Sequence, residues 1–303
     1  MTISKATERA LLLMVGSAVL FGFMAFAAKL ASARMSGSQV AMIRFAMGLT
    51  PSLLIPRYRR SAFTFQRWDL LLYRGFFGGL AVLCYFLAIE HINVGVATLL
   101  NYTAPLFSGV FSVLFLHERI SPKVLIPMPI ALLGVALVGH ANARPGAILG
   151  FGPWELVGAL SAVFSGVAVT AMRAARKGEN SWAVYTSFCL FGTLITAPLA
   201  IAKWKNPSGD EWIALVATSL FAIGAQLLLT FSLRWVDAMT VGVISQLAVV
   251  IAMILSATIL HEWPNTFAMI GSALTISGVV GVVYVTSLAH RTVERADEVA
   301  PEA

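Results

Sequence analysis

Apolar residues run along this chain in blocks about as long as a bilayer is thick, with polar residues confined to the gaps. A helix needs about 20 apolar residues to cross the hydrocarbon. Ten such blocks fall at 10–30, 36–56, 69–89, 93–116, 122–140, 154–173, 181–202, 211–233, 238–260 and 265–288. The pattern predicts an all-α integral membrane protein with ten transmembrane helices. The gaps are short, so the spans form one bundle without a soluble domain. The tail at 291–303 is charged, ends "ADEVAPEA" and is predicted to be disordered.

Composition agrees. The 303 residues are 58% hydrophobic and 12% charged, against about 25% charged for a soluble domain. The net charge of +7 raises the question of nucleic acid. The basic residues form no stripe or recognition motif, so nucleic acid is excluded as a partner. They follow the positive-inside rule instead. With the N-terminus inside, fifteen of the 21 Lys and Arg residues lie on the inner side, five on the outer side, and Arg44 within a span. This predicts a multi-pass protein of the cell inner membrane with both termini cytoplasmic. Cys84 and Cys189 sit inside apolar runs without metal-ligand spacing, which reads as two free thiols. Lys5 and Arg9 ahead of an apolar run, with "ASA" at 31–33, resemble a signal peptide. The repeat described next argues that this segment stays as a helix.

"LFLHERI" at 114–120 returns as "TILHEWP" at 258–264. The two histidines are 144 residues apart, and the same offset serves the rest of the chain. It lays "SAVLFGFMAFAAKLA" (17–31) on "SAVFSGVAVTAMRAA" (161–175), Lys29 on Arg173, Trp68 on Trp212 and Gly134 on Gly278. The chain therefore divides into a first five-helix repeat, 1–147, and a second, 148–290. Five is odd, so the second half is inserted upside down. Inverted repeats of this kind serve alternating access around a midplane site.

Ten spans in this 5 + 5 arrangement resemble the drug/metabolite transporter superfamily, EamA type. The run "YFLAIEHINVGVATLLNYTAPLFSGVFSVLFLHERI" (85–120) is similar to that family's fourth-helix region, with its Thr-rich start, mid-helix Pro and closing Leu-x-Glu-Arg. The second half keeps "LHE" but has Trp263 for the Arg and Val249 for the Pro. The resemblance covers essentially the whole chain. It implies a carrier of small organic metabolites, with a cavity walled by spans three, four, eight and nine and gates from spans one, two, six and seven. It also implies a homodimer contact through spans five and ten. It does not fix the substrate, since the family includes carriers of amino acids, vitamins and nucleotide derivatives.

Charged and polar groups at membrane depth are costly and tend to face cavities. Arg44 lies about two turns into span two, too deep for easy snorkelling. Arg74 is five residues into span three, where snorkelling and cavity lining are both open. Thr98, Asn101, Pro105, Ser108 and Ser112 share one face of span four, with Tyr102 beside it. Close helix packing and cavity lining are alternatives for such a stripe. Pro105 frees a backbone carbonyl and is a hinge candidate. The repeat mates include Ser245 and Gln246, and span eight adds Gln226. Arg44, Arg74, Asn101, Tyr102, Gln226, Ser245 and Gln246 are thus the candidate substrate contacts. Lys29 and Arg173 are gate candidates, Lys29 alternatively an interfacial anchor. Glu118 and Glu262 read mainly as helix-corner residues meeting the N-terminal end of the next helix, and secondarily as gating contacts.

Every Asp and Glu falls at a span end, a loop or the tail. That disfavours antiport of lipophilic cations, which needs a mid-membrane carboxylate. No nucleophile elbow, zinc-protease signature or phosphate loop is present, so no enzyme, cofactor or metal is expected. The remaining buried charge is positive and favours a substrate with an anionic group. The sequence therefore predicts a secondary transporter that exports or exchanges amino acids or related carboxylate-bearing metabolites. Carriage of a vitamin or nucleotide-derived metabolite is the alternative. A non-transporting scaffold and an intramembrane enzyme are the competing classes, and neither explains the preserved repeat.

Overall fold

The computed structural model describes residues 5–116, 123, 126–141, 151–175, 178–232 and 238–299. No strand occurs among them. Fourteen helices follow one another: α1 (Lys5–Ala31), α2 (Gly37–Gly48), α3 (Thr50–Leu54), α4 (Pro56–Ala62), α5 (Trp68–His91), α6 (Val94–Asn101), α7 (Ala104–Leu116), α8 (Pro127–Ala141), α9 (Pro153–Ala175), α10 (Ser181–Ala202), α11 (Gly209–Ser232), α12 (Ala238–Ser245), α13 (Leu247–Ile259) and α14 (Thr266–Val299). Among the described residues, eight stretches are long and apolar enough to cross a membrane, counting α6 with α7 and most of α12 with α13 as one each. A shorter apolar helix, Pro127–Val138, occupies the place of span five. Span two is the broken pair α2 and α3.

The breaks have local causes. Pro51 and Pro56 sit at the starts of α3 and α4, where a missing N–H costs nothing. The continuous helix expected at 36–56 becomes the pair α2 and α3, and α4 follows from Pro56. Span four breaks at Tyr102–Thr103, and α7 restarts with Pro105 at its second residue. Span nine breaks at Gln246, where the backbone tightens to a Gln246 N–H···O=C Val243 bond of 3.2 Å. The tail differs from expectation, because α14 stays helical to Val299. Its Ala, Arg and Glu residues are good helix formers, and they extend a helix already nucleated in the bundle.

The two halves pack as mates. α1 lies along α11 as α9 lies along α5, while α2 meets its mate α10 and α8 meets its mate α14. Close approaches show the same exchange residue by residue. A methyl group on Gly22 would come within 2.6 Å of Ile251, and one on Gly166 within 2.6 Å of Phe107. One on Gly48 would meet Cys189 at 2.9 Å, and one on Gly192 would meet Phe45 at 2.5 Å. Each contact becomes the other when 144 is added to one partner and subtracted from the other, the signature of a two-fold relation. With five crossings per half, that relation inverts one half against the other.

The symmetry is incomplete. α6 packs against α13, but the mate pair, α12 with α7, makes no comparable contact among the described residues. Among the described residues, the two discontinuous helices close the bundle at the end opposite the N-terminus and part at the end that carries it.

Candidate functional site

A cavity of about 370 Å³ opens between the halves, within the usual range for small-molecule sites. Its wall takes Met14 and Ser17 from α1, Arg44 from α2, and Arg74, Gly78 and Tyr85 from α5. Asn101 and Tyr102 come from the first break, and Pro105 and Ser108 from α7. The second half adds Ser165 and Met172 from α9, Phe188 from α10, Gln226 from α11, Ser245 from α12 and Val282 from α14. Spans one, two, six, seven and ten therefore line the cavity directly, beyond the four-span wall that the resemblance implies. The reason is the loss of contact between α7 and α12, which uncovers the helices behind them.

Arg44 is 6% exposed and Arg74 8%. Nε and Nη1 of Arg44 and Nε of Arg74 are buried without a hydrogen-bond partner. No acidic residue lines this cavity among the described residues. Aromatic rings surround the guanidiniums instead. Arg44 Cζ lies 5.1 Å from the Phe45 ring, 5.6 Å from Phe86 and 5.9 Å from Phe188. Arg74 Cζ lies 4.0 Å from the same Phe188 ring. Ring faces repay about 0.5–2 kcal/mol per cation, well short of the cost of burying an unpaired charge.

The neutral polar residues are partly committed. Asn101 donates to Ser161 Oγ at 2.9 Å and to Ser165 Oγ at 3.3 Å, joining span four to α9. Ser245 donates to the Gly242 carbonyl at 2.9 Å. Gln246 is 4% exposed and stands behind the wall, where it donates to the Tyr102 carbonyl at 3.3 Å. Tyr85, which the sequence reading passed over, shares a 2.8 Å hydrogen bond with Thr98. Phe188 was also missed, although it is the repeat mate of Arg44 and the offset alone points to it.

Lys29 lies at the closed end. Its Nζ donates to the carbonyls of Ile89 at 3.0 Å and Ile92 at 2.7 Å, and stands 3.7 Å from Glu262 Oε1. A cation at the C-terminus of α5 also meets the negative end of that helix. Glu262 accepts from Ser256 Oγ at 2.8 Å, and its carbonyl accepts from Asn93 at 3.1 Å. The next helix is capped by Asn265, which accepts from the Ala268 N–H at 2.8 Å. So Asn265, and not Glu262, meets the first turn of α14, the end at which the corner reading places Glu262. His261, with φ of 55°, turns the chain back, and the carboxylate reaches α13 and Lys29. The side chain of Arg173, and Glu118 altogether, lie outside the described residues.

Comparison with known proteins fits this architecture. The model of the EamA-like transporter family matches twice, at residues 8–139 and 152–284. The pseudopaline exporter CntI of Pseudomonas aeruginosa is 29% identical over 283 residues, covering 93% of this chain and 95% of the relative. Human solute carrier family 35 member G1 is 22% identical over 241 residues, covering 74% of this chain and 65% of that protein. One crystal structure superposes with a TM-score of 0.59 at 24% identity, over 95% of this chain and 99% of the other, a likeness of fold. Two copies of one family model, laid over two halves that exchange contacts across a shared cavity, make this chain a member of the EamA-like transporter family.

Proposed function

We propose that this chain is a secondary carrier that exports or exchanges small carboxylate-bearing organic metabolites, amino acids or compounds close to them, by alternating access. The observation that carries the reading is Arg44, a buried guanidinium with unpartnered nitrogens on the wall of the cavity. A carboxylate supplies the charge and acceptors it lacks. The bias of Lys and Arg supports a cytoplasmic N-terminus. The parted end of the bundle then faces the cytoplasm, the loading side of an exporter. The exporter name of the Pseudomonas relative favours the same direction. No catalytic constellation competes for the cavity among the described residues, and a carrier rather than an enzyme accounts for the two-fold fold.

Flux into proteoliposomes tests the proposal. Carboxylate-bearing metabolites are expected to move faster than through empty liposomes. Arg44→Gln is expected to lower that flux by about tenfold or more, the worth of one charge-assisted hydrogen-bonded contact. Equal rates in protein-free liposomes, or undiminished flux in Arg44→Gln, overturn the reading.

A further inference from the structure

Arg74 carries the argument further. Its guanidinium and that of Arg44 both lie within about 6 Å of one ring, Phe188. The two like charges thus stand as neighbours on one stretch of wall. A Cβ on Gly78, one turn beyond Arg74, would collide with Arg74 Nη1 and Phe188. The bare backbone there is what lets the guanidinium lie against the ring. The rest of the wall is neutral, its polar groups, Tyr102, Ser108 and Gln226 among them, set between apolar side chains.

Charge balance then decides the ligand class. A monocarboxylate satisfies one guanidinium fork and leaves the other buried and bare. An amino acid's ammonium group finds no carboxylate on this wall among the described residues, so within the class proposed above the charge balance favours members that carry a second carboxylate. A ligand with two anionic groups a few bonds apart offers one to each fork, and each fork suits a bidentate carboxylate. Resting on the carboxylate-carrier reading above, we infer that Arg44, Arg74 and the shared Phe188 ring form a two-anion receptor, and that the substrate is a small dicarboxylate or a larger metabolite presenting two carboxylates.

The test is a thermal-shift titration of the purified full-length protein with glutarate, the dianion, and butyrate, the monoanion, at matched ionic strength. Glutarate is expected to half-saturate at a concentration about tenfold or more below butyrate, the worth of a second charged contact. Arg74→Gln is expected to erase that preference without lowering the melting temperature of the unliganded protein, since it removes an unpaired buried charge. A merely structural arginine would show the reverse, a lower melting temperature with the preference intact. Arg74→Lys, which keeps the charge but loses the fork, is expected to fall between. Equal titrations of glutarate and butyrate, a preference that survives Arg74→Gln, or no shift with either probe each overturn the inference. Dicarboxylate flux that depends on Arg44 but not on Arg74 would sink the two-anion receptor and leave the carboxylate carrier standing.

Discussion

Gln246 donates its side-chain amide to the carbonyl of Tyr102 at 3.3 Å, and the two residues are 144 positions apart, one repeat length. Each marks the break in its half's discontinuous helix. The breaks therefore touch on the two-fold axis, and one half's side chain satisfies a carbonyl that the other half's break leaves free. Replacing Gln246 with Met keeps the bulk and removes the donor. Equilibrium unfolding in mixed detergent is expected to show a loss of about 1 kcal/mol, the usual worth of one hydrogen bond. A variant as stable as the parent would mean that the contact only accompanies the breaks.

The closed end makes a second prediction. Lys29 ties α1 to the end of α5 and to Glu262, and Ala28 and Ala252 lie fully buried beneath it. Their repeat mates, Met172 and Ser108, line the cavity. When the halves exchange roles, Ala28 and Ala252 become wall. Cysteines at these two positions are expected to resist an impermeant maleimide applied from the side of the membrane that the closed end faces. Adding Lys29→Gln is expected to raise their labelling roughly tenfold, because two charged hydrogen bonds no longer favour closure. Arg34 pairs with Glu211 at the same end at 3.3 Å, but its side chain is 79% exposed. Arg34→Gln is expected to change labelling little. Equal effects from the two substitutions would remove Lys29 from the gate.

Glycine packing gives a third. Gly192 lies against Phe45, where a methyl carbon would stand 2.5 Å from the ring. Gly192→Ala must displace that ring and is expected to cost about 1–3 kcal/mol. Gly109, in α7, has nothing within 4 Å of an added methyl. Gly109→Ala is expected to be neutral or to stabilise the protein by up to about 1 kcal/mol through its helix. The same unfolding titration reads both variants, and a reversed order would contradict the packing between α2 and α10.

The legibility of this protein divides along physical lines. Span positions were readable because the bilayer imposes a length and a polarity on every crossing. The repeat was readable because the halves kept "SAV", Trp and "LHE" in one ungapped register. Arg44 stood out because a cation at that depth needs a reason. Tyr85 gave no signal, because an aromatic residue in an apolar run reads the same whether it faces lipid, core or cavity. Gln246 was read as lining and stands behind the wall, since one residue of rotation at a break moves a side chain from one to the other. Glu262 was read as meeting the start of α14, and a left-handed His261 turns it toward α13 and Lys29 instead. Pattern alone does not reveal such a conformation at a non-glycine residue.

Arg44 faces its own mate, Phe188, across the axis that relates the halves. A pair of mates is carried onto itself when the halves trade conformations, so this contact need not be dismantled as the cavity changes sides. In the carrier proposed above, the anion's resting place is then a fulcrum rather than a relay station, with walls that swing around the cargo instead of handing it from one set of ligands to another. A blocker built on the same pair of negative groups would meet the same cation and ring from either face of the membrane.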